Sequence, residues 1–479
     1  MYLSVVSYFI RSPYGSGWLR CASLAGLCAL LFLSGCASYQ RQPLPGQTSS
    51  LSGSQLVRVR IDSSKMPLPE LAGHRFDPSN GLDIDEIAML AVADNPALKL
   101  ARDDLRVARS QSFAAGLLPD PQLSFSNDFP GAASATSSAF SAGLSTDLMA
   151  LLRRSTTKSV ADADAAKIDL GLLWQEWQTV AQARQLFVKA RFQSYILPLL
   201  KRQSDLAETR YAHMAQALRQ GNLTGDALTA ALLAQSDVQK QYSDAQRAAL
   251  QTRHALNALL GLQPDVVLNL AGDGGQVAPD DKAIERSLAD LPTRRPDLLA
   301  LRAGYVAQDQ KYRAAILDQF PSLSIGFVRA RDTSSVYTSG FQISINLPIF
   351  NRNRGNIAIE KATRRRLRDE YQNRLDQAYA EVAQLRADTA LLERRLSEAE
   401  AALPGIRAQA VAAARAYASH DLGMNAYVDA QSGEIAKRIE AATLRESIAE
   451  QWVGMQALLG GAIPDAFSSD VEIIHSHEH

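Results

Sequence analysis

The sequence predicts a mainly α-helical protein with membrane-spanning β-strands, built from a duplicated helix–strand–strand–helix–helix unit. Three observations predict this fold class. The two halves of the 479-residue chain match in order, one long helical stretch carries apolar residues at heptad spacing, and four short segments alternate between apolar and polar residues. The 50 basic and 50 acidic residues balance, which argues against a nucleic-acid partner because such a partner selects a basic surface.

The N-terminus has the pattern of an export signal. Arg11 and Arg20 precede an apolar run over residues 21–33, which is too short to cross a bilayer comfortably but suits the core of a signal peptide. The run ends in Leu33-Ser34-Gly35-Cys36, which resembles the lipobox of bacterial lipoproteins. A plain secretory signal, or a membrane anchor with a cysteine by chance, is the alternative.

The lipobox resemblance implies cleavage before Cys36 and a covalent lipid, such as palmitate, on that cysteine. Residues 1–35 are then a cleaved signal peptide, and residues 36–80 form a lipidated, extended N-terminal segment. Ala37 and Ser38 follow the cysteine, and the absence of an acidic residue at the second position implies sorting to the outer membrane. Apart from this lipid we expect no cofactor.

The chain repeats itself at a spacing of 200 residues. Asn95-Pro96-Ala97-Leu98 recurs as Arg295-Pro296-Asp297-Leu298, and Pro121-Gln122-Leu123-Ser124 recurs as Pro321-Ser322-Leu323-Ser324. An ordered series of such matches indicates a duplication rather than chance. The predicted divisions are repeat 1 over 81–262, a linker over 263–280, repeat 2 over 281–463 and a histidine-containing tail over 464–479.

Each repeat is predicted to contain one long helical hairpin. Along the long helix of repeat 2, apolar residues recur in steps of three and four. This pattern predicts a coiled-coil hairpin whose helices reach roughly 90 Å. Gly221 and Gly423 mark the turns at the hairpin tips, since glycine suits helix ends. Pro198 and Pro404 lie inside the helical stretches and are predicted to kink or break them.

Four segments have the alternation of barrel strands. Phe341, Ile343 and Ile345 alternate with polar residues, and the other segments repeat the pattern. An amphipathic sheet packed on a soluble core is the alternative, but helices this long leave no compact core for four strands to cover. An open sheet edge is forbidden in lipid, so one chain cannot close a barrel and must oligomerise. The predicted strands cover about 121–130, 139–150, 321–331 and 340–350.

These features together resemble the TolC-type outer-membrane efflux proteins, and the segment from Asn95 to Pro121 is most similar to their heavy-metal branch. The resemblance implies a homotrimer with a twelve-stranded outer-membrane β-barrel, and α-hairpins that form a periplasmic α-barrel. It implies a periplasmic adaptor (membrane fusion protein) and an inner-membrane resistance–nodulation–division (RND) pump as partners in a Gram-negative cell, with outer-membrane lipid around the barrel. The implied function is a passive exit duct, with metal cations as one candidate cargo.

The resemblance also suggests residues for a periplasmic gate. Tyr417, Gly423 and Asp429 fit the family's motif near the start of the last helix, where Asp429 from three chains would form an acidic constriction. Asp226, after the first tip, and Asp421, at the second, are further candidates. For each carboxylate the alternative is stabilisation of a helix N-terminus.

The remaining signals are weaker. His475, His477 and His479 end the chain, and imidazoles with a carboxylate suit a Zn²⁺ or Cu²⁺ site, although incidental histidines in a terminus are the alternative. No catalytic motif occurs, so we expect no enzyme activity. The competing function is a non-channel periplasmic scaffold or adaptor lipoprotein, which would have one helical hairpin and β-rich domains.

Overall fold

The structure is a computed structural model that describes residues 38–129, 131, 137–272 and 281–460. It divides into two compact units, Met1–Ser49 and Ser50–His479. In the first unit, residues 38–49 form no helix or strand and are exposed. Cys36 and the three C-terminal histidines lie outside the described residues.

Repeat 1 begins with short helices and continues into the sheet and the first hairpin. Pro96 divides the predicted first helix in two, because proline has no amide hydrogen and favours the first helical position. Asn95 ends the first of these helices and caps the second, with its Oδ1 3.0 Å from the Leu98 amide nitrogen. The elements are α1 Gly53–Leu56, a 3₁₀ turn Ser63–Lys65, α2 Pro69–Ala72, α3 Ile84–Asp94, α4 Pro96–Ala115, β1 Gln122–Asp128, β2 Ala139–Asp147, α5 Leu148–Arg219 and α6 Gly225–Leu259.

Repeat 2 follows the same order. Its predicted first helix is divided into three, and Pro296 again opens the longest piece. The elements are α7 Asp281–Ala289, α8 Leu291–Arg294, α9 Pro296–Leu317, β3 Ser322–Arg331, β4 Tyr337–Asn346, α10 Arg354–Ala418 and α11 Met424–Leu459. The duplicated order predicted from the sequence is thereby confirmed.

The four strands form one antiparallel sheet in the order β1-β2-β3-β4. The predicted second strand ends early, at Asp147, because that side chain caps α5 by accepting hydrogen bonds from the amides of Met149 and Ala150. The predicted fourth strand begins three residues early, at Tyr337, and ends at Asn346. The sheet thus joins both repeats, with β2 and β3 as the central pair.

The two hairpins lie side by side through their α5 and α11 helices, so α6 and α10 are on the outer sides. Helix α5 has 72 residues and a length of about 108 Å at 1.5 Å per residue. Pro198 and Pro404 were predicted to kink or break their helices, and neither breaks its helix, because both lie inside continuous helices. A proline removes one helical hydrogen bond, and the packed partner helices hold the turns on either side.

The sequence predicts an extended segment over residues 36–80. This prediction is wrong from Gly53 onward, where short helices begin. From Leu51 the segment packs on the helices, and Leu56, Met66 and Leu71 are buried. Leu51 also bridges to Leu262, through a hydrogen bond from its amide to the Gly261 carbonyl. Apolar side chains in the segment therefore supply part of the core beside α3 and α5.

Candidate functional site: a two-faced sheet and two hairpin tips

One face of the sheet is apolar and exposed. The register aligns Leu144, Phe327 and Phe341 across three neighbouring strands. Phe341 is 91% exposed, so no protein core covers this face. An uncovered apolar face of this size marks a contact with lipid or protein. The apolar members of this face are Leu123, Phe125, Phe140, Ala142, Leu144, Leu323, Ile325, Phe327, Tyr337, Phe341, Ile343 and Ile345.

The opposite face carries small and polar residues. One row across it contains Ser124, Gly143, Val328 and Gly340. In the described strands, the charged members of this face are Asp128 and Asp147. The face therefore suits water, and its charge is purely acidic. Its other members are Gln122, Ser126, Ala139, Ser141, Ser145, Ser322, Ser324, Gly326, Ala330, Thr338, Gln342, Ser344 and Asn346.

Two glycines allow close contacts on the polar face. A Cβ on Gly143 would lie 2.8 Å from the Ser124 Oγ, and one on Gly326 would lie 2.9 Å from the Leu144 carbonyl oxygen. Gly340 differs, since a Cβ there would have no atom within 4 Å. Gly143 and Gly326 are therefore required by sterics, whereas Gly340 is not.

Both edges of the sheet are open. Within the described residues, β1 pairs only with β2 and β4 only with β3. Each edge thus presents unpaired backbone amides and carbonyls, which cannot face hydrocarbon without large free-energy costs. A second chain must supply the missing strand on each side if this sheet lies in a membrane.

The first hairpin tip has the predicted glycine. Gly221 has a φ of +77° and terminates α5, with a hydrogen bond from the Asn222 amide to the Ala217 carbonyl. Asp226 lies in the first turn of α6 and is exposed. Its position is that of a carboxylate stabilising a helix N-terminus.

The second tip contains the predicted glycine, but that glycine is not the left-handed residue of the turn. The left-handed residue there is His420, with a φ of +63°, whereas Gly423 has an ordinary φ of −74° and is the N-cap of α11. Asp421 is exposed, and its carboxylate accepts a hydrogen bond from the Ser419 Oγ at 2.6 Å. The rings of Tyr417 and Tyr427 stack with centroids 4.6 Å apart, which joins the two helices of the hairpin.

Asp429 pairs with a residue of the other hairpin. Its Oδ1 accepts a hydrogen bond from Nη1 of Arg210 at 2.7 Å, with the Asp429 side chain 66% exposed. The pair therefore connects α5 and α11 near the tips. Sequence reasoning identified the acid but missed Arg210, which has no local signal because the two residues are 219 positions apart.

Two more polar contacts continue this connection away from the tips. Nη2 of Arg202 donates to the Gln431 Oε1 at 3.0 Å. Nη2 of Arg438 donates to the Tyr195 hydroxyl at 3.1 Å, and its guanidinium lies 5.8 Å from the Tyr195 ring centroid. Like the Arg210–Asp429 pair, each of these contacts joins a residue of α5 to one of α11.

Two carboxylates lie close together further along α11. Partial burial and the charge of Glu450 raise the pKa of Glu446, the Lys189 ammonium opposes them, and the net pKa is about 7. Burial also raises the pKa of Glu450. Sequence reasoning missed this pair because glutamates on a helix surface give no sign of their burial.

The other predicted residues are not gathered into a site. Pro404 lines an open groove of about 780 Å³ beside Arg407, Arg415 and Arg445. The described residues contain no group of three or more histidine, cysteine or acidic side chains that could hold a metal ion. None of the helices in the described ranges is sufficiently long and apolar to cross a bilayer.

Comparison with protein families matches residues 288–461 to the family described as outer membrane efflux protein. Comparison with curated proteins gives no match. Among solved structures, CusC is 19% identical with a TM-score of 0.64, and the alignment covers 89% of this chain and 100% of that one.

Two further channels are similar. MtrE of Neisseria gonorrhoeae is 18% identical with a TM-score of 0.65, covering 89% of this chain and 97% of that one. CmeC of Campylobacter jejuni is 16% identical with a TM-score of 0.64, covering 92% and 99%. Residues 288–461 therefore match the outer membrane efflux protein family, and the chain has the fold of the TolC-type channels.

Proposed function

We propose that the protein is the outer-membrane exit duct of a tripartite efflux system. The observation that carries the proposal is the two-faced sheet with both edges open, continuous with helices about 100 Å long. The apolar face meets lipid, the polar face lines a water-filled lumen, and the helices extend the duct through the periplasm. The duct performs no bond chemistry, and a pump supplies the energy.

The assembly is a homotrimer in this proposal. Two chains would give eight strands, and side chains fill the interior of a barrel that small. Three chains give twelve strands and leave an aqueous lumen. In such a closed ring, β1 of one protomer pairs with β4 of the next, which satisfies every open edge.

Cations are the favoured cargo class of the lumen. The polar face carries Asp128 near the loop end and Asp147 near the helices, so three chains would place two carboxylate rings along the barrel. Such rings raise the local concentration of cations and disfavour anions. Metal cations fit this field, and the C-terminal histidines remain a predicted, separate metal contact.

The hairpin tips form the periplasmic entrance. There we place the adaptor and, beyond it, an RND-type inner-membrane pump. Asp429 from each protomer faces this entrance while it pairs with Arg210. Asp226 and Asp421, which lie nearer the tips, are further candidates for gate residues. The lipid on Cys36 holds the N-terminus at the inner leaflet of the outer membrane.

Strand-edge crosslinking tests the assembly. A cysteine replacing Ser124 in β1 is combined in turn with single cysteines along β4, and oxidation is expected to produce a covalent trimer for at least one combination. The matched control is Ser141→Cys with Ala330→Cys, which are register partners on β2 and β3 and can only bond within a chain. A scan that yields no intermolecular bond, with the control oxidised, contradicts the ring.

Planar bilayers test the duct. The purified lipidated protein is expected to form pores that select cations, and Asp128→Asn with Asp147→Asn is expected to lower that selectivity. A monomer that forms no pores would favour the scaffold or adaptor alternative. Growth of a deletion strain on metals and on organic drugs then identifies the cargo, since sensitivity to drugs alone would contradict a metal cargo.

A further inference from the structure

The apolar face of the sheet has charge at one end only. In the described strands its charged residues are Arg329 and Arg331, both at the loop end of β3. From Leu323 to Phe327 the same face is apolar. An arginine facing lipid costs about 2–4 kcal/mol at the midplane but only about 0–1 near an interface. The two arginines therefore mark the level of the outer headgroups in the proposed duct.

Arg331 is held in place by its surroundings. Its Nη2 donates to the Ser138 carbonyl oxygen at 2.7 Å, and its guanidinium lies 5.5 Å from the Phe140 ring centroid. Phe140 and Tyr337 form an edge-to-face pair with centroids 6.2 Å apart. Tyrosine is enriched at membrane interfaces, so Tyr337 supports an interfacial position for Arg331 in the proposed duct.

Arg329 is exposed and has room for a ligand. Its register partners are Ala142 and Ser339, whose small side chains leave the guanidinium uncovered. Within the described residues its side chain makes no hydrogen bond or ion pair. Asp332 forms no ion pair with it; the Oδ1 of Asp332 instead accepts hydrogen bonds from the amides of Ser334 and Val336 at 2.9 Å.

We propose that Arg329 and Arg331 bind the phosphate group of an outer-leaflet glycolipid headgroup. This inference rests on the proposed function, since it requires the apolar face to meet the outer membrane. Guanidinium groups match phosphate oxygens with two parallel hydrogen bonds, and the adjacent apolar face receives the acyl chains. Lipid is the ligand because a free phosphate would use only the charged part of this surface.

Native mass spectrometry of the full-length protein in detergent tests the inference. The probe is diphosphorylated lipid A, with dephosphorylated lipid A and inorganic phosphate as separate arms. Arg329→Gln with Arg331→Gln is expected to weaken lipid A binding at least tenfold, because the charge-assisted hydrogen bonds to phosphate are lost. The control, Arg247→Gln with Arg366→Gln, removes the same charge from exposed helix positions and is expected to leave binding unchanged.

Arg329→Gln alone keeps the contacts of Arg331, so this single variant is expected to fold normally. Equal binding by all variants, equal binding of dephosphorylated lipid A, or full competition by inorganic phosphate would each overturn the inference. Conductance is measured on the same samples. Pores without phosphate-dependent lipid binding would overturn this inference alone, whereas the absence of pores would overturn the proposed function.

Discussion

Arg210 on α5 donates a 2.7 Å hydrogen bond to Asp429 on α11 and so joins the two hairpins of one chain near their tips. Both side chains retain contact with water, and exposed pairs of this kind stabilise by about 0.2–1 kcal/mol. The contact is therefore weak enough to break during a conformational change. In a duct, it would hold the hairpins together at rest and release them when the entrance widens.

Loss of this pair is expected to widen the entrance. Asp429→Asn removes the charge that Arg210 binds, so the hairpins separate more readily and single-channel conductance is expected to rise about twofold. Planar-bilayer recording measures the change. Asp237→Asn is the matched control, because this exposed acid of α6 is not a gate candidate and has no ion-pair partner among the described residues.

The double variant separates pairing from general charge effects. If the pair restrains the entrance, Arg210→Gln with Asp429→Asn should conduct no more than Asp429→Asn alone. Fully additive increases would contradict a direct coupling of the two side chains.

Gly326→Ala is expected to impair assembly of the sheet. Its Cβ would lie 2.9 Å from the Leu144 carbonyl, a backbone atom that can move only with its strand. We expect a cost of about 1–3 kcal/mol, as for other overpacked positions, and less heat-resistant oligomer on gels. Gly340→Ala, in open space on the same face, is the control. Similar losses for both substitutions would contradict the steric explanation.

The strands were predictable because alternation with period two is a local signal that survives in the structure. Asp147 shows the limit of that signal, since its capping of α5 ends β2 before the alternation does. The pairing of Arg210 with Asp429 was not predictable, because it depends on how two long helices align side by side. The left-handed residue at the second tip, His420, was not predicted, because no local sequence signal marks a histidine for that conformation.

His420→Gly is expected to stabilise the second tip. A side chain at a φ of +63° is strained, and glycine removes a cost of about 1 kcal/mol. Hydrogen exchange of the amides around the turn is expected to slow. The reciprocal change, Gly221→His, places a side chain at a φ of +77° and should accelerate exchange at the first tip. Unchanged exchange in both variants would contradict backbone strain as the cause.

Glu446 is expected to make stability depend on pH. Burial, together with the charge of Glu450, raises its pKa from about 4.5 to about 7 in the folded state. Between these values the folded protein binds more protons than the unfolded chain, so the free energy of unfolding falls as pH rises through this window. Above a pH of about 7 the carboxyl is ionised in both states, and the loss is complete.

Glu446→Gln removes this titration and should therefore raise the thermal midpoint at pH 8 more than at pH 5. The midpoint is followed by the loss of helical circular dichroism. Glu450, whose pKa burial also raises, contributes with the same sign, so the double glutamine variant should have the flattest pH profile. Glu398→Gln, at an exposed position of α10, is the control. If this control flattens the profile equally, the pH dependence does not originate in the Glu446–Glu450 pair.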